Sequence, residues 1–152
     1  YLHAARDKID LIMRFILKTI LIFCFLISNS NSKDGYGDLK FTSSNFNHFI
    51  QYLKGDGDLM SGGKPLGFAI NQAGTQSWYY YCPKKFGDNC MTGAAMQAQN
   101  KCTIASKKKG GERCFVFAKG RTIVWDKKYI KIKRKTTYEE IKKIFSENGW
   151  YN

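Results

Sequence analysis

The sequence predicts an α+β domain: an antiparallel sheet of two hairpins, with four to five strands, a central helix between the hairpins, and flanking N- and C-terminal helices. Two observations predict this class. Helical periodicity alternates with paired β-rich segments in the order helix, hairpin, helix, hairpin, helix. In some strands both alternating sets of residues are apolar, so both faces of the sheet are expected to be covered or to carry an aromatic patch for a partner.

Residues 13–32 are predicted to be a cleavable secretory signal peptide. Two basic residues precede the unbroken apolar run 20–27, and small residues follow it. Cleavage after Ser30 and cleavage after Ser32 fit equally well. An uncleaved membrane anchor is the less favoured alternative, because a spanning helix needs about 20 apolar residues. Residues 1–12 do not fit a signal peptide and are interpreted as a non-native or upstream extension.

The first helix is predicted to follow a polar, Gly-rich segment, residues 33–42, which is expected to be a flexible arm. The helix begins a domain that spans residues 43–152. Ser43 or Ser44 supplies its N-cap, and Gly55 closes it. Apolar side chains recur on one side only, so this helix is expected to pack on the sheet. These side chains are Phe46, Phe49, Ile50 and Leu53.

Five segments rich in β-branched and aromatic residues are predicted to be strands. They are residues 67–71, 77–81, 114–118, 121–125 and 129–133. The first pair is joined by five residues that include Gly74, and the second pair by the two-residue turn Lys119-Gly120. The last segment alternates isoleucine with lysine, which favours an exposed edge strand, because charge there discourages pairing with another chain.

The C-terminal helix is predicted from a capping box formed by Thr137 and Glu140, and from Gly149 just beyond the last apolar residue. Trp150 and Tyr151 are expected to fold back onto this helix. Its apolar stripe consists of Tyr138, Ile141, Ile144 and Phe145.

Four cysteines follow residue 32, and an even number in an exported chain favours disulfides. The central helix is predicted to run from Cys90 to about Cys102, which places these residues about 18 Å apart. A disulfide joins Cα atoms within about 7 Å, so a Cys90–Cys102 bridge is excluded. Cys82–Cys90 with Cys102–Cys114 is favoured, because each bridge closes a short loop at one helix end. Cys82–Cys102 with Cys90–Cys114 is the alternative.

Composition predicts a small basic domain located in the periplasm or secreted. Residues 33–152 hold 21 of the 25 Lys and Arg residues and 10 of the 12 Asp and Glu residues, a net charge of +11. Aromatic residues are plentiful enough for a packed core. No metal or other cofactor is predicted, because the cysteine spacing lacks the close pairs of a zinc site and a single histidine follows residue 32.

A non-enzymatic function is predicted, because no catalytic constellation is found. His48 has no second titrating partner in the sequence. Asp56 and Asp58 are similar to the start of a calcium loop, but its later ligands are missing, so both are interpreted as turn residues. The alternative function is a small cell-envelope hydrolase or inhibitor-type protein. Its candidate acids are Asp126, Glu139 and Glu140.

Positive charge is the feature that indicates a partner, since a basic domain attracts polyanions. The expected partners are an anionic envelope polymer, a lipid surface or another exported protein; export argues against nucleic acid, and a membrane is contacted only through the leader. The candidate binding residues are Lys107, Lys108, Lys109, Lys127, Lys128, Lys131, Lys133, Arg134 and Lys135. A candidate aromatic surface consists of Trp78, Tyr79 and Tyr81.

Residues 66–126 resemble a group of small exported bacterial domains of unknown function. The resemblance lies in a strand, an Ala-rich helix from Ala98 to Cys102, and a strand that begins Cys114-Phe115-Val116. It implies an exported disulfide domain with a bridge between Cys102 and Cys114, and it implies no activity. The extra cysteines Cys82 and Cys90 and the flanking helices are not part of the shared pattern.

Overall fold

A computed structural model describes residues 33–151 of the chain. The predicted signal peptide and upstream extension lie outside the described residues. The helices are α1 (Ser43–Lys54), α2 (Ala94–Lys108) and α3 (Tyr138–Glu147), with a short 3-10 helix at Lys84–Phe86. The strands are β1 (Lys64–Asn71), β2 (Ser77–Cys82), β3 (Cys114–Lys119), β4 (Thr122–Ile123) and β5 (Ile130–Lys131).

The five strands form one antiparallel sheet in the order β2-β1-β3-β4-β5, which confirms the predicted α+β class. The β1–β2 and β3–β4 hairpins meet where β1 pairs with β3, and β5 is an edge strand. The second turn is one residue later than predicted. Lys119 pairs with Thr122, so the turn consists of Gly120 and Arg121, and Gly120 adopts a positive φ of 56° that glycine tolerates.

Helices α1 and α3 cover one face of the sheet and enclose an aromatic core. Phe49 of α1 lies at its centre, with its ring centroid 5.2 Å from that of Phe68, 5.4 Å from that of Phe117 and 5.1 Å from that of Phe145. All four side chains are fully buried. Burial of each contributes about 1.5–3 kcal/mol, so this cluster is a main source of stability.

Helix α2 covers the opposite face, and it does so at unusually short range. A Cβ atom at Gly67 of β1 would lie 2.4 Å from the Cα atom of Ala95, so a side chain there would push the helix off the sheet. Ala98 and Cys102 continue the same contact and are fully buried. Small residues on both elements therefore allow this close packing.

The start of α2 corrects the predicted boundary. The helix begins at Ala94 and not at Cys90, after Gly93 in a left-handed conformation with φ 70°. The disulfides join Cys82 to Cys90 and Cys102 to Cys114, with Cα atoms 5.7 Å and 5.8 Å apart, which is the favoured pairing. Helix length does not explain this pairing, since Cys90 precedes the helix.

Residues 33–42 are packed on the domain, which corrects the expected flexible arm. Leu39 and Phe41 are buried, with 2% and 6% of their surface exposed. The backbone N–H of Gly35 donates to the Val116 carbonyl over 3.0 Å, and the Val116 N–H donates to the Lys33 carbonyl over 2.9 Å. Two apolar side chains and a short stretch of backbone pairing are enough to fix a segment that looks polar in sequence.

The helix ends follow local sequence signals. Thr137 and Glu140 form the predicted capping box, and Gly149 has a positive φ of 71°. The structure differs at α1, where the N-cap is Thr42 and not one of the two serines, because the Thr42 hydroxyl accepts from the Asn45 N–H. As predicted, the chain folds back after α3: the buried Trp150 donates its backbone N–H to the Phe145 carbonyl over 2.9 Å.

Candidate functional site

Three connecting segments meet at one end of the sheet, which we call the three-loop end: residues 55–63, 83–93 and 132–137. The strand register places them together. Lys64 at the start of β1 lies opposite Cys82 at the end of β2, and Thr122 lies opposite Lys131 at the end of β5. Because β1 and β3 are antiparallel, the β3–β4 turn is at this end as well.

The half-buried guanidinium of Arg121 fixes the first of these segments. Its Nη2 donates to the carbonyl oxygens of Leu53 and Leu59, each over 2.8 Å. Leu53 belongs to the last turn of α1, whose carbonyls lack helical partners. Burial lowers the pKa of Arg121, and the nearby charge of Arg134 lowers it further. The residue is therefore a structural cation that closes the helix end and holds the loop.

Two aspartates order the same loop, in agreement with their interpretation as turn residues. The Asp58 carboxylate accepts from the backbone N–H groups of Met60 and Ser61, over 2.8 Å and 2.6 Å. The Asp56 carboxylate accepts from the Lys84 N–H over 2.9 Å, which ties the first segment to the second. These backbone bonds hold both carboxylate pKa values below their usual range.

Cations outnumber acids at the three-loop end. Seven basic residues lie within its segments or at their junctions with α1 and β1: Lys54, Lys64, Lys84, Lys85, Lys133, Arg134 and Lys135. The three acids are occupied: two accept the backbone bonds above, and Asp88 pairs with the Lys64 ammonium at 3.2 Å. A cavity of about 300 Å³ separates the segments. Its charged lining residues are Lys64, Lys84, Asp88 and Arg134.

Two apolar side chains project from this basic surface. Met60 is 67% exposed and Phe86 is 52% exposed. The Lys85 ammonium lies 5.0 Å from the centroid of the Phe86 ring, so charge and aromatic surface are adjacent. Sequence reasoning missed both residues, because an isolated apolar residue in a polar loop carries no periodic signal. Their exposure becomes visible once the loop positions are known.

The structure divides the predicted lysine surface between two ends of the sheet. Lys133, Arg134 and Lys135 lie at the three-loop end, and Lys131 lies at the adjoining end of the edge strand β5. The remaining members occupy the opposite end, in the last turn of α2, directly after it, or in the β4–β5 connection. They are Lys107, Lys108, Lys109, Lys127 and Lys128. Proximity in sequence therefore did not predict one continuous surface.

The predicted aromatic surface is also divided. Side chains alternate along β2, so Trp78 points to the α2 face while Tyr79 and Tyr81 point to the other. Trp78 is 41% exposed. Tyr79 packs beside Phe68, with stacked rings 6.2 Å apart, and belongs to the core. The three residues do not form a common binding surface.

His48 lies beside Ser77, but the hydrogen bonds around this pair do not activate the serine hydroxyl as a nucleophile. Its Nδ1 is 3.1 Å from the Ser77 hydroxyl. That hydroxyl donates to the Asn45 side-chain oxygen, whose orientation follows from the Asn45 amide donating to the Gly74 carbonyl over 2.8 Å. The serine proton is thus directed away from the imidazole, whereas a nucleophilic serine must donate to its histidine.

The acids of the alternative hydrolase hypothesis lie in separate places. Asp126 borders a cavity beside Trp125, whereas Glu140 borders another beside Lys131. Glu139 is exposed in the first turn of α3. The structure does not bring these three acids together in one cleft. Among residues 33–151, no cluster of three His, Cys, Asp or Glu side chains is suited to a metal ion.

No helix within the described part of the chain has the length and apolar character needed to cross a bilayer. The two disulfides are typical of a compartment outside the reducing cytosol. No protein-family model, curated protein or solved structure matches this chain. The resemblance of residues 66–126 to small exported bacterial domains stays a prediction.

Replacing Arg121 by methionine is expected to lower the free energy of unfolding by about 2–3 kcal/mol, because two partly buried carbonyls lose a charged donor. Arg121→Lys should recover less than half of this loss, because a lysine side chain ends one bond short of the position of Nη2 and its ammonium is more strongly hydrated. Urea unfolding measures the change. The control is Arg134→Met, whose exposed bond to Met60 should matter by less than about 0.5 kcal/mol. Equal effects of the two methionine variants would contradict the assignment.

Acid is expected to destabilise the domain through three carboxylates. Backbone hydrogen bonds from Lys84, Ser61 and Thr137 are the main causes that lower the pKa values of Asp56, Asp58 and Glu140, respectively. A folded-state pKa below the unfolded value gives stability that is complete above about pH 5 and is lost as pH falls through the folded pKa.

Urea unfolding between pH 7 and pH 3 tests this expectation. The free energy of unfolding should stay level to about pH 5 and then decline. A variant with Asp56→Asn, Asp58→Asn and Glu140→Gln should start lower and decline less steeply. An identical slope in both proteins would show that these carboxylates do not cause the acid sensitivity.

Proposed function

We propose that this chain is a periplasmic or secreted, non-enzymatic protein that binds an anionic component of the cell envelope through its three-loop end. The observation that carries the proposal is the gathering of seven cations from three separated segments, against three acids that are already hydrogen-bonded or paired. Such a surface attracts polyanions at long range. A net charge of +11 for residues 33–152 acts in the same direction.

Several features support a binding surface over a merely solvated one. The Asp56 bond to Lys84 joins two loops, the Cys82–Cys90 bridge closes the second, and Arg121 anchors the first. Binding therefore costs little conformational entropy, because the loops are already ordered. Glu139 and Glu140 lie in the first turn of α3, directly after the third segment, where Glu140 is engaged in the capping box.

The test is binding to a soluble linear polyphosphate, followed by calorimetry at several salt concentrations. Affinity should fall steeply with salt, since the attraction is electrostatic and screened. A variant with Lys84→Gln, Lys85→Gln and Lys135→Gln should bind about 10-fold or more weakly. The matched control removes the same charge from the outer side of α2, with Lys101→Gln, Lys107→Gln and Lys108→Gln.

The control should bind within about two-fold of the unaltered protein. Salt-independent binding, or an equal loss in both triple variants, would contradict the proposal, because binding would then not depend on this surface. All six lysines are exposed, so neither variant should change the melting temperature appreciably.

A further inference from the structure

We infer that the three-loop end docks on the surface of an anionic lipid bilayer, with Met60 and Phe86 entering the headgroup region and the surrounding cations facing lipid phosphates. This inference rests on the proposed function and names its partner. The two side chains lie on segments that contact each other, because Asp56 and Lys84 are hydrogen-bonded across them. The Arg134 guanidinium, which donates to the Met60 carbonyl over 3.2 Å, extends the same surface.

The apolar side chains distinguish a lipid surface from a soluble polyanion. A polymer of phosphates or carboxylates gains nothing from an exposed Met60 or Phe86, whereas both gain free energy on leaving water in the acyl boundary. Met60 also borders a shallow apolar depression between the first and third segments. Its other lining residues include Lys54, Leu59 and Lys135. Lysines whose aliphatic chains border apolar surface, with their ammonium groups in water, are typical of a contact with a membrane interface.

The charges complement an anionic leaflet. Lysines near such a surface each strengthen binding about five-fold, and their effect falls off within about 10 Å at ordinary salt. Lys84 and Lys85 directly precede Phe86, and Lys135 follows Arg134, so these cations come within that range when the loops touch the headgroups. The Cys82–Cys90 bridge closes the second segment and Arg121 anchors the first, so both loops are ordered before they meet the lipid.

The opposite end of the sheet provides the matched comparison. Ile104 on the outer side of α2 is 55% exposed and Tyr129 is 73% exposed, and both have lysines nearby in sequence. Lys109 there is engaged by Gln76, and Lys128 by Asn148. That end therefore carries exposed apolar side chains and lysines of its own, and it serves as the control surface.

The experiment is sedimentation with vesicles of phosphatidylcholine containing phosphatidylglycerol, and with pure phosphatidylcholine vesicles. It uses the native protein, once its intact mass shows that residues 13–32 have been removed. Binding is expected only to the anionic vesicles. A variant with Met60→Ser and Phe86→Ser should bind them at least about 10-fold more weakly, because two apolar contacts are lost. A variant with Ile104→Ser and Tyr129→Ser should bind within two-fold of the native protein.

Polyphosphate binding separates this inference from the proposed function. The Met60→Ser, Phe86→Ser variant should bind polyphosphate normally, since its cations are intact. If the native protein binds polyphosphate but not anionic vesicles, or if this variant sediments like the native protein, lipid docking is overturned and polyanion binding stands. If the native protein binds neither, both fall. Unchanged melting temperatures, expected for such exposed sites, exclude misfolding as the cause.

Discussion

Replacing Trp125 by alanine is expected to lower the free energy of unfolding by about 3–5 kcal/mol. The indole is fully buried, and its Nε1 donates to the Gly37 carbonyl over 2.9 Å. Gly35 lies directly against the ring, so a Cβ atom there would be only 1.9 Å from the indole Cζ3. Loss of the indole therefore removes core contacts and also the surface on which residues 33–42 rest.

Urea unfolding measures the stability change, and amide hydrogen exchange measures the second effect. The Val116 carbonyl protects the Gly35 N–H from exchange. The Trp125→Ala substitution should accelerate exchange of this N–H more than it accelerates exchange of a core amide such as that of Phe117. Trp78→Ala is the matched control, since this indole is 41% exposed and should matter by less than about 1 kcal/mol. Unchanged Gly35 exchange in the variant would show that the segment is held independently.

Removing the Cys102–Cys114 bridge by Cys102→Ala and Cys114→Ala is expected to cost about 3 kcal/mol or more. The bridge closes a 12-residue separation, for which chain entropy alone predicts nearly 3 kcal/mol. Both cysteines are fully buried where α2 packs on the sheet, so lost sulfur contacts add to this cost. Helix α2 should become the first element to lose protection against hydrogen exchange.

The matched control is Cys82→Ala with Cys90→Ala, which opens an 8-residue separation at the domain surface. Its chain-entropy cost is nearly as large, but only Cys82 is buried and Cys90 is partly exposed, so fewer packing contacts are lost than at the inner bridge. The control should therefore lose less stability and should loosen mainly residues 83–93. A larger loss in the control would contradict the view that packing of α2 depends on the inner bridge. Mild reductant should also open the outer bridge first, because thiol attack requires access.

Local signals predicted the elements whose causes are local. The capping box of Thr137 and Glu140 and the β-rich segment that forms β3 each involve residues a few positions apart, and both are present in the structure. The start of α2 was predicted four residues early, because residues 90–93 are not strong helix breakers apart from Gly93. The left-handed conformation of Gly93, which only the folded backbone reveals, ends the preceding loop and begins the helix.

Features that depend on distant partners could not be predicted in this way. Leu39 and Phe41 are two apolar residues in a polar segment, and the Trp125 side chain that holds this segment through Gly37 is 88 positions away. The three-loop end likewise depends on residues that are distant in sequence. Its cations come from segments about 30 to 80 positions apart, and only the register of β1, β2 and β5 brings them together. Clusters of charge along the sequence therefore predicted Arg134 as a binding residue but did not predict Lys64.

Residues from the first and last parts of the domain contact each other in the core, and this affects folding during synthesis. The Phe41 N–H donates to the Trp150 carbonyl over 2.7 Å, and the Phe46 ring stacks on Tyr151 at 4.6 Å. A growing polypeptide cannot complete this core until residue 151 has left the ribosome, at rates of about 5–20 residues per second. The nascent chain therefore lacks a complete core for most of its translation, which favours the export proposed above, because a polypeptide is threaded through a membrane before it folds.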